Sequence, residues 1–287
     1  MMQPSDLPTL YRNHRLILWV EDEVTKTYLH HHWQDADIGL LMAGGHENIY
    51  AVVKSSRAQG FVQVFGFRDR DFGETNRAKW SDGAVEVLTS EAFEIENLAL
   101  DSQAMSMCQL NTSGKSAAEI EAALRALAQK RLWWMSCRRT IAEIRTTATH
   151  QFVSHPKLGN VSSEQQATDA ILNSAWWKNT LPAIPTTLTE QAVRDKLAAN
   201  HSHYAAALQH DSWRDCFSGK ELLQEIVSAV WTKGRPAESP SARVHLDFIR
   251  AIVEAQREQS RIPQVVAELR RALRQHLQRA VLPVQQV

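Results

Sequence analysis

"FVQVFGFRDRDFGE" occupies residues 61–74. An apolar run ends there in two aspartates, Asp69 and Asp71, one residue apart. In an extended strand residues i and i+2 point the same way, so the two carboxylates face one point just past the strand end. Carboxylates held that close repel unless a proton or a cation lies between them. A divalent ion relieves the repulsion. Magnesium prefers oxygen ligands and takes one or two carboxylates, with water and substrate phosphate filling the remaining positions. The other reading of this pair is a solvated loop in which Asp69 and Asp71 pair with Arg68 and Arg70.

The flanking sequence decides the fold around this strand. "RLILWVE" (15–21), "IGLLMAGG" (38–45) and "AVEVLTS" (84–90) are further short apolar runs, read as buried strands. Between them "DEVTKTYLHHHW" and "HENIYAVVKSSRAQ" have helical character, and "EAFEIENLAL" (91–100) opens another helix. Strands alternating with helices over short connections predict a parallel sheet covered on both faces. In such sheets the chemistry sits at the carboxyl ends of the strands. Glu21 ends the first strand. If strands one and three are neighbours, Glu21 meets the aspartates at one edge, and three acids around one or two ions suit phosphodiester chemistry.

After about residue 101 the strand pattern stops. "SAAEIEAALRALAQKRLWWMSCRRTIAEIR", "TLTEQAVRDKLAANHSHYAAALQ", "GKELLQEIVSAVW", "SARVHLDFIRAIVEAQ" and "IPQVVAELRRALRQHLQ" read as helices. Proline- and glycine-bearing breaks at "SHPKLGN", "LPAIPT" and "KGRPAESPS" punctuate them. The expected architecture is an α/β unit over residues 1–100, followed by a mostly α-helical region over 101–287.

Composition bounds the chemistry. The formal net charge is +0, so bulk charge selects no partner. Its distribution is uneven: residues 1–100 hold 9 Lys and Arg against 15 Asp and Glu, and the remainder holds 23 against 17. An acidic module on a basic platform suits work on a polyanion. Cys108, Cys137 and Cys216 lie far apart without a CxxC, against both a disulfide framework and a thiolate zinc site. The first residues lack the apolar core of a signal peptide, and no segment reaches about 18 uninterrupted apolar residues. A cytoplasmic protein without membrane association is expected.

Four quoted segments, "LWVEDE", "MAGGHENI", "VFGFRDRDF" and "EAFEIENLAL", follow in an order that resembles Toprim domains of the OLD-like kind. The pattern looks most like a bacterial family of Toprim effectors that pair with ABC-type ATPases in antiphage defence, as in PARIS-type systems. The resemblance covers about residues 15–100 and returns at "WRDCFSGKELL". It implies a magnesium- or manganese-dependent nuclease acting on tRNA, other RNA or DNA, toxic when free, restrained by its ATPase, and homodimeric when active. It also implies roles. Asp69 and Asp71 correspond to the metal-binding pair, Glu21 to the metal-side or acid/base glutamate, and Glu96, beside Asn97, to a further acidic site residue. Two positions depart from the family pattern. Asp22 stands where a glycine is common, and Thr25 where an aspartate is common, which puts a second metal position in question. Asp22 or Glu23 is the available substitute. The departures also give motive to a non-catalytic reading, in which a degenerate Toprim core serves as a sensor or assembly subunit.

"LILWVEDE" also opens like a response-regulator receiver, with Asp69 as phosphoacceptor and Thr89 ending strand four, but a receiver needs a fifth strand where residues 91–130 read as helix. A haloacid-dehalogenase phosphatase needs its DxD on the first strand. "SGKELL" (218–223) is not a P-loop: Arg214 stands where the first glycine belongs and Glu221 follows the lysine. Lys220 is read as a helix-start lysine or a phosphate contact. The three histidines 30–32 lie on a helix and point different ways, so they do not share one metal. Arg131, Arg138 and Arg145 recur every seven residues and predict one basic helix face, able to follow a phosphate backbone. Its competing reading is a solvated face opposite a core that holds the tryptophans.

Overall fold

Four parallel strands stand side by side in the order β2-β1-β3-β4, formed by Leu16–Val20 (β1), Ile38–Met42 (β2), Val64–Arg68 (β3) and Val87–Thr89 (β4). This computed structural model describes residues 11–70, 87–90, 94–147, 156, 159–174, 177–178, 188–227, 231–232 and 242–281. Asp71, the first half of the fourth apolar run and the breaks around 181–187 and 233–240 therefore lie outside the described residues.

The strand sequences explain the layers. All five residues of β1 are buried, which requires cover on both faces. Ile17 and Trp19 point to one side, where helix α2 (His46–Ala58) packs Ile49 and Val53 against Val64 and Val87. Leu16, Leu18 and Val20 point to the other, toward Tyr28, Leu29 and Trp33 of helix α1 (Glu23–Trp33). Fully burying each such side chain contributes roughly 1.5–3 kcal/mol. Gly66 in the middle of β3 sets how closely α2 approaches: a Cβ there would lie 2.4 Å from Ile49 Cγ2.

The chain runs from β1 through α1 to β2 on one side, then crosses through α2 to β3 on the other. The strand order reverses at β1, so a crevice opens at the carboxyl ends of β1 and β3, the position at which open α/β sheets bind ligands. The parallel register sets Val20 beside Phe67, which delivers Glu21 and Asp69 to that crevice.

From Ile95 onward the described elements are helical: α3 (Ile95–Ala99), α4 (Ser102–Met107), α5 (Ala117–Lys130), α6 (Leu132–Thr147), α7 (Glu164–Leu172), α8 (Glu190–Ala207), α9 (Gly219–Ile226), α10 (Ala242–Glu258) and α11 (Gln264–Val281), with a 3-10 turn at Asp211–Cys216. No fifth strand follows β4 among the described residues, in contrast to a receiver. The boundary near residue 100 marks where strands stop, but the core runs across it. One apolar cluster joins Leu18, Phe67 and Leu88 of the sheet to Trp213, Leu223, Phe248 and Ile252 of the helical region. Polar contacts fix the same junction. Gln256 of α10 accepts from Tyr28 Oη at 3.1 Å and donates to the Leu98 carbonyl at 2.8 Å. Arg270 and Arg274 of α11 both reach Asp35, in the loop before β2.

Residues 117–147 are two helices rather than one. Arg131 lies between α5 and α6 with φ −98° and ψ 1°. No helix among the described residues is long and apolar enough to cross a membrane.

Candidate functional site

Asp69 follows directly on β3, and its Oδ1 is shut off from solvent with no hydrogen-bond partner among the described residues. Burial pushes its carboxyl well above the usual carboxylate range, and the charges of Glu96, Glu21, Asp22 and Glu94 push it further in the same direction. The guanidiniums on either side do not answer that oxygen. Arg68 donates to Tyr50 Oη at 3.1 Å and to the Asp69 carbonyl at 3.2 Å, and Arg70 donates to the Asp215 carbonyl at 2.5 Å.

The other acids arrive from three places. Glu21, half-buried, follows β1, and its carbonyl accepts from Gly44 at 2.9 Å. Asp22 caps α1: its Oδ1 accepts from Thr25 N at 2.8 Å, a use of the side chain that satisfies a free helix-start amide. Glu23 pairs with Lys26 on the surface. The charge of Asp22 also acts on Asp69, and Thr25 is only 1% exposed.

Glu94, Glu96 and Asn97 come from α3, one short turn with a long set of tethers. Glu94 is its N-cap; Asn97 Oδ1 accepts from Glu94 N at 2.7 Å. Asn97 Nδ2 donates to the carbonyls of Arg214 and Phe217, at 2.5 and 2.7 Å. Glu94 accepts from Ser218 Oγ at 2.9 Å and from Lys220 N at 2.8 Å. Burial, reinforced by the charge of Glu96, pushes the Glu94 carboxyl up to about 7. The "FSGK" segment thus acts on the site through its backbone and Ser218, while the Lys220 side chain is exposed. Glu96 is 3% exposed and accepts from His245 Nε2 at 3.3 Å. In the tautomer with its hydrogen on Nε2, His245 donates this bond to Glu96.

The three arginines stand at the start, middle and end of the α6 stretch. Arg131, at the helix junction, pairs with Glu225 of α9 at 2.5 Å. Arg138 lies over the Trp134 ring at 4.6 Å, and its charge lowers the Glu94 pKa, so this arginine faces the acidic crevice. Arg145 is half-buried near the end of α6. Arg138 also feels the charge of Glu221, one turn from Glu225 on α9, so Arg131 and Arg138 both meet acids of that helix. The tryptophans pack inward: Trp134 is buried and donates to the Pro156 carbonyl, and half-buried Trp133 stacks on His201 at 3.8 Å. Of the histidine triplet, His32 is core, with Nε2 3.0 Å from Gln256 Oε1, and His30 is exposed.

The charges of Glu21 and Glu96 both act on Asp69, and the sequence singled out these three residues. Glu94 and His245 were not singled out. Glu94 had a signal in "EIEN", an acid three residues before an asparagine at a helix start. His245 had none, being one polar residue in an amphipathic helix.

The donor chemistry of the crevice suits a hard divalent cation: all its ligating atoms are oxygens, and a cation would answer the orphaned Asp69 Oδ1. Among the described residues, no three His, Cys, Asp or Glu side chains stand close enough to enclose an ion by themselves, and Asp71 is not among those residues. Comparison of the chain with protein-family models, with curated proteins and with solved structures finds no match.

Proposed function

We propose that this chain is a Toprim-like nuclease that hydrolyses phosphodiester bonds with a bound magnesium or manganese ion. The observation that carries the reading is the buried Oδ1 of Asp69 at the β1/β3 crevice, without a partner among the described residues and acted on by the charges of Glu96, Glu21 and Glu94. A protein that buries an anion against other anions loses stability, and such arrangements cluster at functional sites. Asp69, Glu21 and, beyond the described residues, Asp71 would hold the ion, which would supply positive charge to a phosphate oxygen and to the attacking water. Half-exposed Glu21 would take the proton of that water. Glu96 supports the far side of the crevice. Arg138 brings a permanent positive charge to the same crevice, suited to a phosphate.

The substrate is tRNA, other RNA or DNA. The resemblance to Toprim effectors of defence systems supports a toxic effector held in check by an ABC-type ATPase, active as a homodimer, with the region after residue 101 presenting substrate or partner surfaces.

One observation favours a second reading, a Toprim-like sensor or assembly subunit without catalysis. Thr25 replaces an expected aspartate and is fully packed, so a second ion would lack that ligand.

The test incubates the purified chain with magnesium or manganese and plasmid, single-stranded DNA or total tRNA. Wild type should cleave at least one, and Asp69→Asn and Glu21→Ala should abolish cleavage with unchanged circular dichroism. Failure of wild type on all three, with equal growth of cells expressing wild type and variants, would leave the non-catalytic reading.

A further inference from the structure

His245 and Glu96 form a buried pair that joins the helical region to the acidic crevice. They are 149 residues apart in the chain, on α10 and α3, and both are almost wholly enclosed, His245 at 6% and Glu96 at 3% exposure. Glu96 is also the strongest of the four carboxylates acting on Asp69. A glutamate has three side-chain torsions, and fixing them at an enclosed position requires a donor of fixed direction. The imidazole Nε2–H, 3.3 Å from Glu96 Oε1, is such a donor, and α10 is itself anchored to the sheet layer through Gln256 and its bonds to Tyr28 and Leu98.

We propose that His245 is a positioning residue of the site: by donating to Glu96 Oε1 it fixes that carboxylate on the far side of the crevice, where Glu96 would add an oxygen to those that Asp69 and Glu21 offer one divalent ion. This rests on the metal-dependent reading above. His245 acts through Glu96 in the way that partners outside a metal's ligand shell orient the ligands and hold their geometry. A donor at this place is what matters, not a titrating group, so a neutral amide that reaches as far as Nε2 should serve.

The experiment measures Mn2+ affinity of the full chain by the loss of the free-ion electron paramagnetic resonance signal, in the absence of substrate, with urea unfolding alongside. His245→Leu should weaken Mn2+ binding by about 10–100-fold, and His245→Gln should stay within about threefold of wild type, since partners of ligands typically carry effects of that order. Asp69→Asn should remove the binding. Wild-type affinity in His245→Leu, or equal weakening in the Leu and Gln variants while both unfold like wild type, would overturn the positioning role and leave the metal site standing. If His245→Leu does not fold, the Gln variant decides alone: retained affinity supports the role and lost affinity overturns it. A wild-type chain that binds no Mn2+ removes the metal reading itself, and His245's role with it.

Discussion

Gly219 lies against the backbone of Asn97 so closely that a Cβ on Gly219 would stand 2.4 Å from Asn97 N and 2.8 Å from Glu96 C. Backbone atoms of a tethered turn have little room to move, and overpacking of this kind costs about 1–3 kcal/mol. Gly219→Ala is therefore expected to lower unfolding stability by that amount. It is also expected to weaken Mn2+ binding, because the displaced turn carries Glu96. Wild-type stability and affinity in this variant would mean that α3 yields without consequence.

Glu94 should make the ligand-free protein less stable in base than in weak acid. Its folded carboxyl titrates at about 7 against an ordinary 4.5. Between those values the folded state holds a proton that the unfolded chain has released, so the stabilisation is complete below 4.5 and is lost as pH rises through 7. Glu94→Gln keeps an acceptor for Ser218 Oγ and Lys220 N but carries no charge. In chelator, it should match wild type near pH 5 and exceed it at pH 8 by on the order of 1–3 kcal/mol. Parallel pH profiles for the two proteins, read by urea unfolding, would contradict this.

Asp69→Asn should stabilise the chelated protein while ending its response to metal. The change removes a charge that burial and four neighbouring acids oppose. A gain of about 1–2 kcal/mol, or about 2–4 °C in Tm per kcal/mol, is expected. Manganese should raise the wild-type Tm and leave the variant's unmoved. A variant less stable than wild type in chelator would show that Asp69 has a partner after all.

His32 should stay neutral well below the ordinary histidine range. Burial pushes it down from 6.5 to about 4, although its bond to Gln256 pulls the other way. The unfolded chain takes up a proton below about 6.5 that the folded protein refuses until about 4. This histidine's contribution is therefore present above 6.5 and falls by on the order of 3 kcal/mol as pH drops to 4. Nuclear magnetic resonance of the 12 histidines should show one, lost in His32→Phe, that does not titrate above pH 5. Ordinary titration of that signal near 6.5 would refute the enclosed environment.

The sheet was legible because its strands are apolar runs of one kind, and Leu16–Val20 could only be a strand covered on both faces. The placement of Glu21 and Asp69 followed from that, since parallel strands put their carboxyl ends together. The arginine spacing was legible, but the turn at Arg131 and the pairing of Arg131 with Glu225 of α9 join distant segments and had no signal. "FSGK" was visible as a motif, but its contribution is a close backbone approach by Gly219, which no spacing rule reports. The Glu96–His245 pair joins residues whose sequence separation carries no pattern.

The separation of Glu96 from His245 bears on synthesis. A ribosome has exposed every strand and Glu96 long before residue 245 emerges, and domains form as their long-range partners become available. During that interval Glu96 lacks the imidazole that holds it, and α10 is absent from the layer over the sheet. The growing chain thus gains the Glu96 contact and the last helical cover of the sheet only when translation is nearly complete.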